Sequence, residues 1–258
     1  NDIWTGLYRP FTKRNVYANK HFVQRMAQLP KIFTNNDQKN LVICVTGLGT
    51  TSGFSCLMTD IIPDLNLVSN CQCFPLKVFE NNSDNFGELF KFSRTNKTSE
   101  RFGITDEFSK IFNKNNDPEI SKSDIFYYIY GVLHSSDYRR VFNNNLTKEL
   151  PRIPLSNQFQ EFIDAGKKLG YLHTKFEELE PFSLDIDFTS DIPNDLEARK
   201  NFFRVEKMRF KDKLDKSILI YNKNIIVKNI PLDAYEYMIS GKSAIDWIIE
   251  RQSVKIDK

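Results

Sequence analysis

Between residues 124 and 154 the apolar positions change spacing twice, and the three elements they predict follow one another without a spacer. Ile125, Ile129 and Val132, with Phe126, Tyr130 and Leu133, recur every three or four residues, the spacing of a helix with one buried face. Ser123 or Asp124 is placed to accept its first free amides. Gly131 weakens this helix slightly, and His134-Ser135-Ser136 breaks it. Ser135 or Ser136 then caps a second helix running through Asn144, and Pro151 and Pro154 bound a short extended segment.

Residues 157–178 carry the longest helical pattern. Phe159, Phe162, Ile163, Gly166, Leu169, Leu172, His173 and Phe176 share one face, and Asn157 with Gln160 has the spacing of a capping box. His173 reads there as a hydrogen-bonded core histidine. Residues 41–46, LVICVT, read as a buried strand. Gly47, Gly49 and Gly53 follow, then alternating Phe54, Cys56 and Met58, a pattern that predicts a β-hairpin with glycines at positive φ.

Elsewhere the pattern is shorter. Residues 3–17 are extended and broken at Pro10, 21–29 form a short helix ended by Pro30, and 60–79 continue as short strands. Residues 81–116 lose apolar density and read as mobile surface with short helices at Phe86, Leu89 and Phe90 and at Phe108, Ile111 and Phe112. Toward the end, 202–210 and 217–230 are strands able to pair, the second turning at Lys223-Asn224. Two closing helices follow over 234–239 and 243–250, with Gly241 stopping the first and Ser243 capping the second. The class is α+β: a β-rich N-terminal part, a central helical unit, and a C-terminal β-hairpin with two closing helices.

Composition sets the scale. At 258 residues, 40% hydrophobic and 27% charged, the chain can bury the core of one large domain or two small ones. No apolar run reaches the ~18 residues of a membrane helix and no secretory leader opens the chain, so a soluble, cytoplasmic protein without a membrane partner is expected. The chain opens at Asn1 rather than Met, which reads as a piece of a longer polypeptide.

The net charge of +3 is uninformative, but its distribution is not. Arg9, Lys13, Arg14, Lys20, Arg25 and Lys31 form a stretch without an acid, while 177–197 holds eight acids without a Lys or Arg and reads as a solvated linker. Arg139, Arg140, Lys148 and Arg152 stand near the two ends of the second central helix. Adjacent arginines on a helix point about 100° apart, so Arg139 and Arg140 do not both face the core.

Catalytic patterns are missing. Cys44, Cys56, Cys71 and Cys73 contain no C-x-x-C pair and lie far in sequence from His21, His134 and His173, so neither a zinc site nor a cofactor is expected. The glycine spacing G-x-G-x-x-x-G is followed by a strand pattern, whereas a dinucleotide or S-adenosylmethionine loop needs a helix N-terminus. No Asn-Pro, required in the tetrapeptide by which adenine methyltransferases hold a flipped base, occurs, and no acid-x-Lys completes a nuclease pattern after Pro63-Asp64.

FYYIYGVLHSSDYR and LTKELPRIP within 126–154 resemble the C-terminal target-recognition region of single-polypeptide, type ISP, restriction-modification enzymes. YRPFTKRNVY at 8–17, VEKMRF at 205–210, and YNKNIIVKNIP with AYEYMISGKSAIDWIIERQSVK at 221–255 are similar to the same region in the same order. The resemblance implies one target-recognition domain over 1–258, with 1–34 a candidate junction to an upstream methyltransferase domain. It also implies duplex DNA as partner, and nuclease, translocase and methyltransferase activities elsewhere in the polypeptide. Under this reading Arg9, Lys13, Arg14, Lys31, Arg139, Arg140, Lys148 and Arg152 are the candidate DNA-binding residues. The alternatives are a protein-interaction module or an S-adenosylmethionine-binding domain of a DNA methyltransferase.

Overall fold

The computed structural model describes residues 3–19, 21, 28–35, 38–81, 98–114 and 119–253. They gather into two compact units, Asn1–Tyr8 with Lys13–Phe176 and Arg9–Thr12 with Glu177–Lys258. The fold is α+β, as the pattern predicts.

The first unit holds all but the last residue of β1 (Ile3–Arg9), all but the first residue of β2 (Thr12–Tyr17), and a one-turn helix α1 (Leu29–Ile32). The expected helix over 21–29 lies for the most part outside the described residues, as do Lys20 and Arg25. β3 (Val42–Val45) and β4 (Cys56–Thr59) form the expected hairpin, registered from Val42↔Thr59 to Val45↔Cys56. Gly49 and Gly53 take φ of 74° and 72° in its loop, a backbone that L side chains rarely adopt. β5 (Ile62–Pro63) runs parallel to β1, and β6 (Gln72–Pro75) pairs with the other edge of β3, giving the order β4-β3-β6.

β7 (Lys77–Asn81) pairs with β8 (Thr98–Phe102), which corrects the expectation of mobile surface at 98–102. This strand has no apolar alternation to reveal it; backbone pairing and the cross-strand ion pairs Lys77–Glu100 (2.7 Å) and Arg101–Glu80 (3.0 Å) accompany it. Phe86, Leu89 and Phe90 lie outside the described residues. α2 (Asp106–Asn113) begins at Thr105, whose hydroxyl accepts from the Phe108 amide, and buries Phe112.

α3 (Lys122–His134), α4 (Ser136–Leu146) and α5 (Phe159–Thr174) make the central unit. Ser121, rather than Ser123 or Asp124, caps α3: its oxygen accepts from the Asp124 amide at 3.1 Å while its hydroxyl donates to the Asp124 carboxylate. Ser135 caps α4, as expected. The Asn157–Gln160 capping box does not form. The Gln160 amide instead donates along the helix to Asp164, and Ser156 accepts from the Gln158 amide.

Gly131 turns out to be a packing residue. A Cβ there would stand 2.2 Å from the Phe162 carbonyl, and one on Gly166 would stand 1.9 Å from the Tyr127 carbonyl, so α3 and α5 cross at a distance only glycine permits. Ile125, Phe126, Tyr130, Leu133 and Ile163 from these helices share one core with Ile43, Val45, Cys56 and Met58 of the sheet. Tyr130 ties the layers together, its hydroxyl accepting from the Met58 amide (2.7 Å) and sharing a hydrogen bond with His173 Nδ1 (2.6 Å). Burial, reinforced by the Arg139 charge, pushes His173 down to about 4, so it is the neutral hydrogen-bonded core histidine that its position implies.

The second unit holds β9 (Asp185–Phe188), α6 (Leu196–Phe202), β10 (Arg209–Phe210), β11 (Leu219–Ile220), β12 (Ile225–Lys228), a 3₁₀ turn (Leu232–Tyr235), β13 (Met238–Ile239), β14 (Lys242–Ser243) and α7 (Ala244–Gln252). Its sheet is ordered β10-β11-β12-β9, all neighbours antiparallel. Met208, Leu219 and Ile230 are buried beneath Tyr235, Ile245 and Ile249. The turn at Lys223-Asn224 lies between β11 and β12, as expected.

Three expectations are corrected here. The acidic segment 177–197 is no simple linker: it supplies the edge strand β9, exposed along its whole length, and opens α6, which Asp195 caps. Asp187 pairs with Lys228 on the neighbouring strand, and Asp185 accepts from Asn229. Phe202 is helical and only 209–210 form a strand. Residues 234–239 are not a helix, because Ser240 and Gly241 take φ of 48° and 79° and turn β13 into β14, the geometry of a tight hairpin. Ser243 does cap α7, in a capping box with Asp246. Among the described residues no helix is long and apolar enough to cross a membrane.

Candidate nucleic-acid interface

α4 presents the most suggestive polar face. Tyr138 and Leu146 are buried, and Tyr138 donates to the Arg152 carbonyl at 2.9 Å, so the helix is anchored along one side to the segment after it. At 100° per residue, Arg140, Asn143 and Asn144 then project together from the opposite side, and all three are exposed. Val141 flanks this face, whereas Phe142 projects from the anchored side, its ring 5.1 Å from that of Tyr138; both are exposed at the mouth of a groove of about 300 Å³, bounded also by Tyr138, Pro154 and Ser156.

Arg139 and Arg140 separate as the helical angle requires. Arg139 Nε donates to the Leu133 carbonyl at 2.6 Å, and its guanidinium lies 5.7 Å from the centre of the Phe54 ring. It closes the C-terminal turn of α3, where a cation is favoured by the free carbonyls and the helix dipole. Arg140 is 75% exposed and pairs with Asp137 at 2.8 Å. Arg152, 86% exposed, pairs with Glu149 at 2.8 Å, and Lys148 is exposed between them in sequence. Such exposed pairs contribute ~0–1 kcal/mol and exchange readily for another anion.

The structure thus gathers Arg139, Arg140, Lys148 and Arg152 on α4 and the segment following it, and gives Arg139 a structural task. The remaining candidates are dispersed over other elements. Lys13 and Arg14 stand on β2, the Lys13 ammonium 4.9 Å from the centre of the Phe176 ring, and Lys31 is exposed on α1. Arg9 is half-buried in the second unit, where its charge helps hold Glu250 below the usual carboxylate range, after the larger effect of Lys242. Asn143 and Asn144 were absent from the sequence candidates; the i, i+3, i+4 spacing of Arg140-x-x-Asn143-Asn144 is the signal that marks them.

Two other predicted features resolve. The Gly47–Gly53 loop leads into β4 and offers no helix N-terminus for a cofactor phosphate or carboxylate. Cys44 and Cys73, 29 residues apart, are opposed across β3 and β6, their sulfurs 3.9 Å apart, and Cys71 lies 3.7 Å from Cys73. Hydrogen bonds from the other two thiols draw Cys73 down to about 4, whereas Cys44 and Cys71 are pushed up and burial takes Cys56 up to about 12.

These elements are those of a specificity domain. The chain belongs to the Type ISP C-terminal specificity domain family, whose model matches residues 1–258. No curated protein matches it. Among solved structures it is similar to the ATP-dependent Type ISP restriction-modification enzyme LlaBIII bound to DNA, at 31% identity and TM-score 0.82. It is also similar to a nuclease-deletion mutant of the Type ISP enzyme LlaGI in complex with a DNA substrate mimic (30%, 0.78) and to DrdV in complex with DNA (30%, 0.82). Each match covers 100% of this chain but only 16%, 21% and 24% of the respective relative.

Proposed function

We propose that residues 1–258 act as one target-recognition domain, reading a short sequence in duplex DNA for catalytic parts carried elsewhere in a longer cytoplasmic restriction-modification polypeptide. The observation that carries this is the full-length match to a specificity-domain family, together with whole-chain likeness to relatives solved on DNA. Residues 1–34 would meet an upstream methyltransferase domain.

The chemistry of α4 fits direct readout. Arginine forms paired hydrogen bonds with guanine O6 and N7 and asparagine with adenine N6 and N7, so Arg140, Asn143 and Asn144 suit the base edges. Val141, at the flank of that face, suits apolar contact with a thymine methyl. Arg9, Lys13, Arg14, Lys31, Lys148 and Arg152 suit phosphate oxygens, which hold register without reading sequence. The Arg139 charge contributes to the local potential while its Nε stays on Leu133.

Fluorescence anisotropy of the chain with a labelled random-sequence duplex tests the DNA-binding part. Weak binding is expected from the isolated chain, with log affinity falling against log salt by roughly 0.9 per phosphate contact. Affinity unchanged between low and physiological salt, or calorimetric binding of S-adenosylmethionine without DNA binding, contradicts the proposal.

A further inference from the structure

We propose that Cys44, Cys71 and Cys73 form a three-thiolate site for one thiophilic metal ion of the zinc class. Their sulfurs all lie within 4.8 Å of one another, two of the separations being 3.9 and 3.7 Å. Sulfurs arranged tetrahedrally around an ion at bond lengths of about 2.3 Å stand about 3.8 Å apart, so an ion enters this cluster with small movements. A disulfide requires about 2.05 Å and one partner less. Three thiolates leave a fourth position for water, and thiolate ligands select zinc-class and other soft ions over magnesium or calcium.

The backbone around the cluster is built to bring Cys71 in. Ser69 and Asn70 are consecutive non-glycine residues at φ 61° and 49°, an uncommon and costly pair that turns the chain back into β6. The turn is pinned from both sides: the Cys71 amide donates to the Leu65 carbonyl at 2.6 Å and the Gly47 amide to the Ser69 carbonyl at 3.0 Å. A Cβ on Gly47 would stand 2.2 Å from the Asn70 carbonyl, so the loop after β3 and the turn before β6 interlock. Cys44 is buried at the base, and half-buried Cys71 and Cys73 leave a way in. An ion here clips β3 to the turn before β6. Cys56 points to the opposite face of the sheet, with Ile43, Val45 and Met58, and serves as the internal control.

The test is a titration of the reduced, metal-free 258-residue chain with Co²⁺, followed by Zn²⁺. One Co²⁺ per chain is expected, with sulfur-to-metal charge-transfer absorption that Zn²⁺ abolishes by displacement. Cys56→Ser should retain the signal; Cys71→Ser and Cys73→Ser should lose most of it while keeping the wild-type circular dichroism. Cys71 is half-buried, so its variant decides the matter should Cys44→Ser fail to fold. Absence of thiolate absorption in the folded, reduced wild type overturns the proposal, as does an undiminished signal in Cys73→Ser.

Discussion

Arg139 Nε donates to the Leu133 carbonyl at 2.6 Å, so the first of two adjacent arginines on α4 closes the end of α3 and the second is left facing solvent. The pair therefore separates stability from recognition. Replacing Arg139 with Ala removes a charge-assisted hydrogen bond in a half-buried setting and should lower the unfolding free energy by ~1.5–3 kcal/mol. Arg140→Ala should change it by no more than ~0.5 kcal/mol, because only an exposed ion pair is lost, while weakening DNA binding. Urea unfolding and anisotropy on both variants check this; equal stabilities contradict it.

Asn143 and Asn144 stand on the same side of α4 as Arg140. If they read base edges, Asn143→Ala or Asn144→Ala should cost ~1–3 kcal/mol on the preferred duplex and relax the choice at one base pair. Competition binding at fixed salt separates this from a phosphate contact, for which the loss is the same on every sequence.

Gly166 lies against the Tyr127 carbonyl, with no space for a Cβ. Gly166→Ala must push α3 and α5 apart or bend one of them, at ~1–3 kcal/mol or more, despite the better helix propensity of alanine. A urea midpoint equal to or above wild type would show that the helices do not cross this closely.

Burial holds His173 at about 4 and His134 at about 3, against ~6.5 in an unfolded chain, with the Arg139 charge adding to both shifts. Both are neutral in the folded protein at pH 7, and on acidification the unfolded chain takes up protons first. Their stabilising contribution is therefore full above ~pH 6.5, falls as the pH drops from there toward the folded values, and levels off below them, with a slope of up to ~1.4 kcal/mol per pH unit for each histidine. Urea unfolding from pH 7.5 to 5 should show the decline, and His173→Gln should reduce it; a profile flat over that range contradicts the neutral assignment.

Legibility in the sequence followed burial. The helices α3, α4, α5 and α7 and the β3–β4 hairpin each carry a one-sided apolar pattern or a cap, and Ser135 and Ser243 mark their starts. β8 carries neither and pairs through backbone and charge, while β9 offers only Ile186 and Phe188 alternating with two acids, with Phe188 against Phe202 and Phe203, so 98–102 and 185–188 read as surface or linker. Ser240-Gly241 shows the ambiguity of a glycine after apolar residues, which ends a helix or turns a hairpin according to whether the preceding segment can pair. Of the candidate interface, the arginines were visible as charges, but the partner of Arg139 is a carbonyl and leaves no mark in side-chain chemistry. The thiol cluster was hidden because strand adjacency, rather than local spacing, opposes Cys44 to Cys73.

Selection from a random-sequence duplex pool with the chain at low salt, followed by competition between the enriched duplex and single-base variants of it, tests recognition most directly. One short motif is expected, each altered base pair within it costing ~1–3 kcal/mol, or roughly tenfold to a hundredfold in affinity. A pool that enriches no motif, with all duplexes bound equally at the same salt, would contradict the assignment of target recognition to this chain.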